Sequence, residues 1–155
     1  MIQRIQSIYL SLITILSLLL FKSGMMKFTG DAGSVMTITF NGLLKGNGTG
    51  DLELVQPLII ITVLIVMLAL VPFITLFLFK KRKIQLVFSK IVIVLAVLFT
   101  VVSGYYAYHV MNEYSVRILP ALKSIIPVLT LLFSVLAYRG IKKDDDLVRS
   151  YDRLR

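Results

Sequence analysis

The fold of this chain is decided by residues 57–110, which read PLIIITVLIVMLALVPFITLFLFKKRKIQLVFSKIVIVLAVLFTVVSGYYAYHV. Two apolar runs, 57–79 and 86–110, are separated by the basic cluster KKRK at 80–83. A helix needs about 20 apolar residues to cross the roughly 30 Å hydrocarbon core of a bilayer. Because lipid cannot satisfy open backbone groups, such segments must be helical. The stretch therefore predicts two transmembrane helices joined by a tight basic turn.

Two shorter apolar runs, 5–21 and 120–138, flank this hairpin on either side. Of the 155 residues, 57% are hydrophobic and only 16% are charged, against about 45–50% and about 25% in soluble domains. This composition excludes an ordinary soluble enzyme and a disordered chain. We predict an all-α membrane protein built as a four-transmembrane-helix bundle, with helices at about 5–21, 57–79, 86–110 and 120–138. Residues 1–140 would form this domain, and 141–155 a cytoplasmic amphipathic tail helix.

The positive charge indicates how the helices are oriented. A net charge of +9 in a soluble protein would suggest nucleic-acid binding. Here the basic residues lie beside the apolar runs, which is the pattern that sets membrane topology. With both termini cytoplasmic, the outer side holds only five of the 17 Lys and Arg residues: Lys22, Lys27, Lys45, Arg117 and Lys123. We therefore predict a multi-pass membrane protein with both ends on the cytoplasmic side, and no nucleic-acid partner.

The loop after the first helix, residues 22–56, carries a strand pattern. Met36, Ile38 and Phe40 alternate with threonines, as in a half-buried strand. The pair Asn41-Gly42 follows, and this dipeptide favours a hairpin turn in which both central residues have positive φ. Residues 25–29 and 52–55 could supply flanking strands. We predict a small antiparallel β element that caps the bundle, an architecture similar to that of claudin-type proteins by analogy only, since the chain has no Trp and no Cys.

Two groups of residues are candidates for contacting a partner. Helix 1 carries a polar stripe of Ser7, Ser11, Thr14 and Ser17 at steps of four, three and three, and such small polar residues allow close helix contacts and interhelical hydrogen bonds. Packing within the bundle is the alternative for this stripe. The tail places Leu147, Tyr151 and Leu154 on one helical face and adds Arg149, Arg153 and Arg155. Here the alternatives are a docking element and a solvated helix on the membrane surface.

Residues that could carry chemistry are few. The absence of cysteine excludes disulfides and thiolate catalysis. The only histidine, His109, has Glu113 at i+4, but this pair lacks enough ligands for a metal site. Four tyrosines near this boundary, at 105, 106, 108 and 114, are typical of an interfacial aromatic belt. Pro72 and Pro127 should kink helices 2 and 4. We expect no enzyme activity, no cofactor and no metal.

The sequences at the two ends of the chain resemble those of a known protein family. The start MIQRIQS, residues 1–7, and the end AYRGIKKDDDLVRSYDRLR, residues 137–155, resemble an uncharacterised family of four-helix inner-membrane proteins from Bacteroidota (domain of unknown function 4293). The resemblance spans the whole chain and implies a bacterial cytoplasmic membrane location. It implies no activity and no catalytic residues.

The function predicted from these features is that of a non-catalytic accessory subunit in a larger membrane complex, with protein export or membrane insertion as one host. Helices without buried charges, the polar stripe and the charged tail motivate it. Its partners would be the lipid bilayer and another membrane protein. The alternative is a small channel or transporter for a lipid or small solute, for which the helices offer little polar path.

Overall fold

Four helices form the body of the protein. The computed structural model describes residues 5–22, 24–30, 35–47, 51–119 and 121–153. The helices are α1 (Ile5–Lys22), α2 (Ile59–Phe77), α3 (Arg82–Tyr114) and α4 (Ile126–Arg153), with 3₁₀ turns at Leu78–Lys80 and Leu122–Ile125. Within the described residues, three segments are long and apolar enough to cross a membrane, namely Ile59–Phe77, Lys83–Tyr114 and Leu122–Leu147. The apolar part of α1, Ile5–Phe21, is shorter.

The helices pack as a closed ring. α1 lies between α2 and α4, and α3 contacts the same two neighbours from the other side. The interior is filled by fully buried side chains such as Ile13, Ile61 and Phe99. The outward faces are also apolar: Ile59 and Val101 are more than 60% exposed. An apolar core together with an apolar exterior is the composition expected of helices surrounded by lipid, so these helices suggest a membrane protein.

A five-stranded antiparallel sheet covers one end of the bundle. Its strands are β1 (Met26–Thr29), β2 (Val35–Thr39), β3 (Gly42–Asn47), β4 (Asp51–Gln56) and β5 (Arg117–Leu119), in the spatial order β4-β3-β2-β1-β5. Phe28, Met36, Ile38 and Leu43 are buried and join the bundle core. The predicted flanking strands are confirmed as β1 and β4. Strand β5 was not predicted; it comes from the α3–α4 connection and pairs with β1, with Phe28 opposite Ile118.

The hairpin turn differs from the prediction by one residue. Phe40 and Asn41 form the turn, and Gly42 already pairs with Thr39 at the start of β3. Among Phe40, Asn41 and Gly42, only Gly42 has a positive φ, 142°. The expectation of a positive φ at both Asn41 and Gly42 is therefore wrong. Glycine is required at 42 because a Cβ there would collide with the carbonyl oxygen of Gln56.

The helix ends also differ from the predicted ones. α3 begins at Arg82 and α4 runs without a break from Ile126 to Arg153, so the helix is continuous through residue 140, where the predicted tail helix was to begin. The end of an apolar run does not end a helix, because polar residues keep the helical backbone hydrogen bonds. Gly140 stays inside the helix, where it packs against Gln6 of α1.

The two internal prolines occupy different positions in their helices. Pro72 lies inside α2, as predicted, and it is buried there. Pro127 is the second residue of α4, so the prediction that it kinks helix 4 is wrong. A proline in the first turn of a helix removes an N–H that has no intrahelical acceptor, and the helix tolerates it without a kink.

Candidate functional site

The two ends of the bundle are named here by what they carry. The sheet end holds the five strands, and the terminal end holds the start of α1, the α2–α3 turn and the last part of α4. At the terminal end, apolar side chains from all four helices meet: Leu10, Ala137 and Ile141 are buried, with Tyr9, Leu76 and Leu86 packed around them. This cluster fixes where α4 leaves the bundle.

The last part of α4 has two distinct faces. Ser134, Ala137, Ile141 and Asp145 follow one another at steps of three or four and are all buried, so this side faces the bundle. The opposite side carries Arg139, Lys142, Lys143, Asp146 and Leu147. These five residues line an open groove of about 460 Å³. Three cations and one carboxylate therefore share a single accessible surface, which we call the basic groove.

Several polar side chains at the terminal end are buried inside the bundle. Asp145 is only 8% exposed and makes contacts within the protein. Gln6 of α1 is 4% exposed, and its Cβ lies 3.2 Å from where a Cβ of Gly140 would stand. Gln85 of α3 donates from Nε2 to the carbonyl of Thr75 in the last turn of α2, at 3.3 Å. That carbonyl also accepts the backbone N–H of the residue that caps α2, so the Gln85 bond adds a second donor and ties α3 to the end of α2.

Only part of this arrangement can be predicted from the sequence. Gln6 and Gln85 stand near the starts of apolar helices, and a lone glutamine in an apolar context could have marked them as buried hydrogen-bonding groups. Asp145 could not be distinguished from Asp144 and Asp146 by composition. Its burial follows from the continuity of α4, which places it one helical repeat beyond Ile141.

The predicted polar stripe of α1 lies mostly inside the protein. Thr14 and Ser17 are buried, whereas Ser7 and Ser11 are half-buried. The hydroxyls of Ser11, Thr14 and Ser17 donate to carbonyls of their own helix at 2.9–3.1 Å. Only Ser7 and Ser11 keep accessible surface for a partner.

The hydroxyl groups that form hydrogen bonds to a different element belong to helices other than α1. Thr100 of α3 donates to the carbonyl of Pro127 in α4 at 3.0 Å. Thr62 of α2 donates to the carbonyl of Phe40 in the hairpin turn at 2.6 Å. Threonines inside apolar runs signal such bonds in the sequence, but they do not reveal which neighbour accepts.

The predicted tail residues are described to different degrees. Leu147 is half exposed on the rim of the basic groove. The backbone of Arg149, Tyr151 and Arg153 belongs to α4. Arg155 lies outside the described residues.

The sheet end carries the predicted histidine pair. His109 Nδ1 lies 3.0 Å from Glu113 Oε2, with both side chains half exposed. Tyr105 lies beside His109, with 6.1 Å between ring centroids. Tyr105 and Tyr108 are exposed, whereas Tyr106 and Tyr114 pack against the core. Among the described residues, no group of three potential metal ligands comes together here or elsewhere.

Comparison with known proteins places this architecture in a family. The family model described as "Domain of unknown function (DUF4293)" matches residues 2–154. The chain belongs to the DUF4293 family. No curated protein and no solved structure matches it. The match covers both the four helices and the sheet, so the DUF4293 domain comprises the whole arrangement described above rather than the helices alone.

Proposed function

We propose that this DUF4293 chain is a non-catalytic accessory subunit of a larger complex in the bacterial inner membrane, with both termini cytoplasmic. The observation that carries the proposal is the extension of α4 beyond the bundle. Among the residues of α4 up to 147, Asp145 is the last that is buried, and the helix backbone continues to Arg153. At 1.5 Å per residue, these eight further residues extend the helix by about 12 Å.

The chemistry of this extension supports a docking role. Asp144, Asp145 and Asp146 stand at its base, and three arginines, Arg149, Arg153 and Arg155, follow within the last seven residues. The backbone of α4 is helical as far as Arg153, and a binding segment that is already helical pays a lower entropy cost when it binds a partner. A protein-export or membrane-insertion complex is the host that we propose.

The half-buried residues of the α1 polar stripe lie at the same end of the molecule as the α4 extension. Ser7 and Ser11 belong to the first two turns of α1, at the terminal end where α4 emerges. Small hydroxyl residues allow a second helix to approach closely within a membrane. A partner that contacts both Ser7 and the α4 extension would therefore engage one end of the protein only.

Site-specific photocrosslinking in cells tests the proposal. A photoreactive residue at position 147, on the α4 extension, should give a discrete crosslinked product of higher mass at native expression. The matched control is position 122, because Leu122 at the sheet end is 89% exposed. No product at 147, or the same products from both positions, would refute the docking role. Solute flux through proteoliposomes of the purified protein would favour the channel or transporter alternative.

The orientation has a separate test, which the absence of cysteine makes simple. Asn41→Cys places a single thiol in the exposed hairpin turn at the sheet end, and Lys83→Cys places one at the exposed start of α3 at the terminal end. With cytoplasmic termini, a membrane-impermeant thiol reagent added to spheroplasts labels the first variant and spares the second. The reverse pattern would place both termini outside.

A further inference from the structure

The basic groove lies on the outward side of α4. Arg139, Lys142 and Lys143 are exposed at helical steps of three and four. Going back along the same face, Leu132 and Val128 are at least 50% exposed. The cations therefore continue the apolar stripe that faces outward from the bundle, rather than the side that packs against α1 and α3.

The position of the cations along the helix matches the depth of lipid headgroups. The segment from Leu122 to Ile141 carries charge only near its two ends, at Lys123 and Arg139. Its 20 residues make about 30 Å of helix, which equals the thickness of a hydrocarbon core. Lys142 and Lys143 follow directly after it. Long basic side chains at this position reach the headgroup layer while their methylene stems stay on apolar surface.

A cation on the neighbouring helix lies at the same depth. The hydrogen bond from Thr100 to the carbonyl of Pro127 sets α3 and α4 side by side, and the two helices are antiparallel. Lys90 lies ten residues before Thr100 in α3, and Ala137 lies ten residues after Pro127 in α4. Lys90 and Ala137 therefore lie at the same height along the bundle, and Arg139 follows two residues after Ala137. Lys90 is exposed, so α3 carries a positive charge at the height of the groove.

We propose that the basic groove binds the headgroup of an anionic phospholipid of the surrounding bilayer. Three cations against the single carboxylate of Asp146 leave the groove with a net positive charge, which complements a phosphodiester. A zwitterionic headgroup would bring its own cation towards Arg139 and Lys143, so the groove favours lipids with a net negative charge. The groove adjoins the proposed docking surface at Leu147, but lipid binding does not require a protein partner, and the test below uses the purified chain alone.

Native mass spectrometry of the full chain in mild detergent tests the site, with phosphatidylglycerol and phosphatidylcholine supplied in equal amounts. The wild-type protein should retain phosphatidylglycerol preferentially. The triple variant Arg139→Gln, Lys142→Gln, Lys143→Gln should lose this preference by about tenfold, because each cation near the surface contributes to anionic-lipid attraction. The matched control removes three cations at the sheet end, Lys27→Gln, Arg117→Gln and Lys123→Gln, and should keep the preference.

Three further variants distinguish lipid binding from a folding artefact. Asp146→Asn should strengthen phosphatidylglycerol retention, which a merely structural role of the groove would not produce. If the triple variant fails to fold, Lys143→Gln and Lys143→Arg replace it, with loss expected for the first and retention for the second. Equal retention of both lipids by the wild type, equal losses in triple variant and control, or displacement of the lipid by millimolar inorganic phosphate would each overturn the proposal.

Discussion

The sheet end of the bundle is held by backbone pairing between strands, whereas the terminal end is held by side-chain packing between helices. At the sheet end, five strands share ladder hydrogen bonds and place Phe28, Ile38 and Leu43 on the core. At the terminal end, Leu10 and Ile141 meet in a small apolar cluster. A sheet depends on backbone conformation, and a helix contact depends on side-chain volume, so the two ends should respond to different substitutions.

The two ends also differ in charge. The sheet end has five basic and four acidic residues, whereas the terminal end has twelve basic and four acidic residues. The folded sheet therefore lies in a nearly neutral region, and the accessible groove lies in the strongly basic one. The following substitutions test whether structure and charge are divided between the ends in this way.

Gly42→Ala should have the largest effect. Gly42 has φ 142°, and an added Cβ would collide with the Gln56 carbonyl oxygen and lie 3.0 Å from Pro57 Cα. We expect a loss of about 3 kcal/mol in the free energy of unfolding, because both backbone strain and a clash with backbone atoms contribute. The measurement is the thermal unfolding midpoint in detergent. Gly104→Ala is the matched control, since its Cβ meets nothing within 4 Å, and it should leave the midpoint unchanged or raise it.

Gly140→Leu tests whether side-chain volume limits packing at the terminal end, whereas Gly42→Ala tests backbone conformation at the sheet end. A Cβ at 140 would lie 3.2 Å from Cβ of Gln6, so a leucine must push α1 away from α4. We expect a loss of about 2 kcal/mol, measured by the same unfolding assay. Gly104→Leu carries the same change on open surface and should have little effect. Equal losses at both positions would show that the α1–α4 contact at Gly140 does not limit side-chain size.

Thr62→Val tests the bond that joins the sheet to the bundle. The hydroxyl of Thr62 donates to the Phe40 carbonyl at 2.6 Å, and valine keeps the shape while removing the donor. We expect a loss of about 1 kcal/mol. Thr14→Val is the control, because its hydroxyl donates only within α1. If the two variants unfold at the same temperature, the hydroxyl of Thr62 contributes nothing beyond a bond within its own helix.

His109→Ala should have the smallest effect. The pair with Glu113 is close, but both side chains are half exposed, and exposed pairs contribute less than about 1 kcal/mol. We expect an unfolding midpoint within about 1 °C of the wild type and unchanged crosslinking at position 147. A marked drop in stability would show that this rim of the sheet end contributes to the fold in a way that its exposure does not indicate.

Much of the fold was predictable from local pattern. The apolar runs gave four helices because a segment in lipid must satisfy its own backbone, and alternation at Met36 and Ile38 gave β2 because strand side chains alternate between faces. The candidate site was less predictable. The residues Arg139, Lys142 and Lys143 are evident in the sequence as charges that orient the helix, but their grouping around a groove requires α4 to continue unbroken past Gly140.

The sequence by itself determined the number of helices, the hairpin and the uneven distribution of charge, since each depends on residues adjacent in the chain. Only the tertiary structure decided which partner each group takes. Strand β5 forms because Arg117–Leu119 lies next to β1, more than 80 residues earlier in the chain. Gly140 lies against Gln6 of α1, which is more than 130 residues earlier in the chain. Asp145 faces inward because Ile141, one turn before it, is fixed by the other helices. These outcomes depend on contacts between distant segments, which no local periodicity specifies.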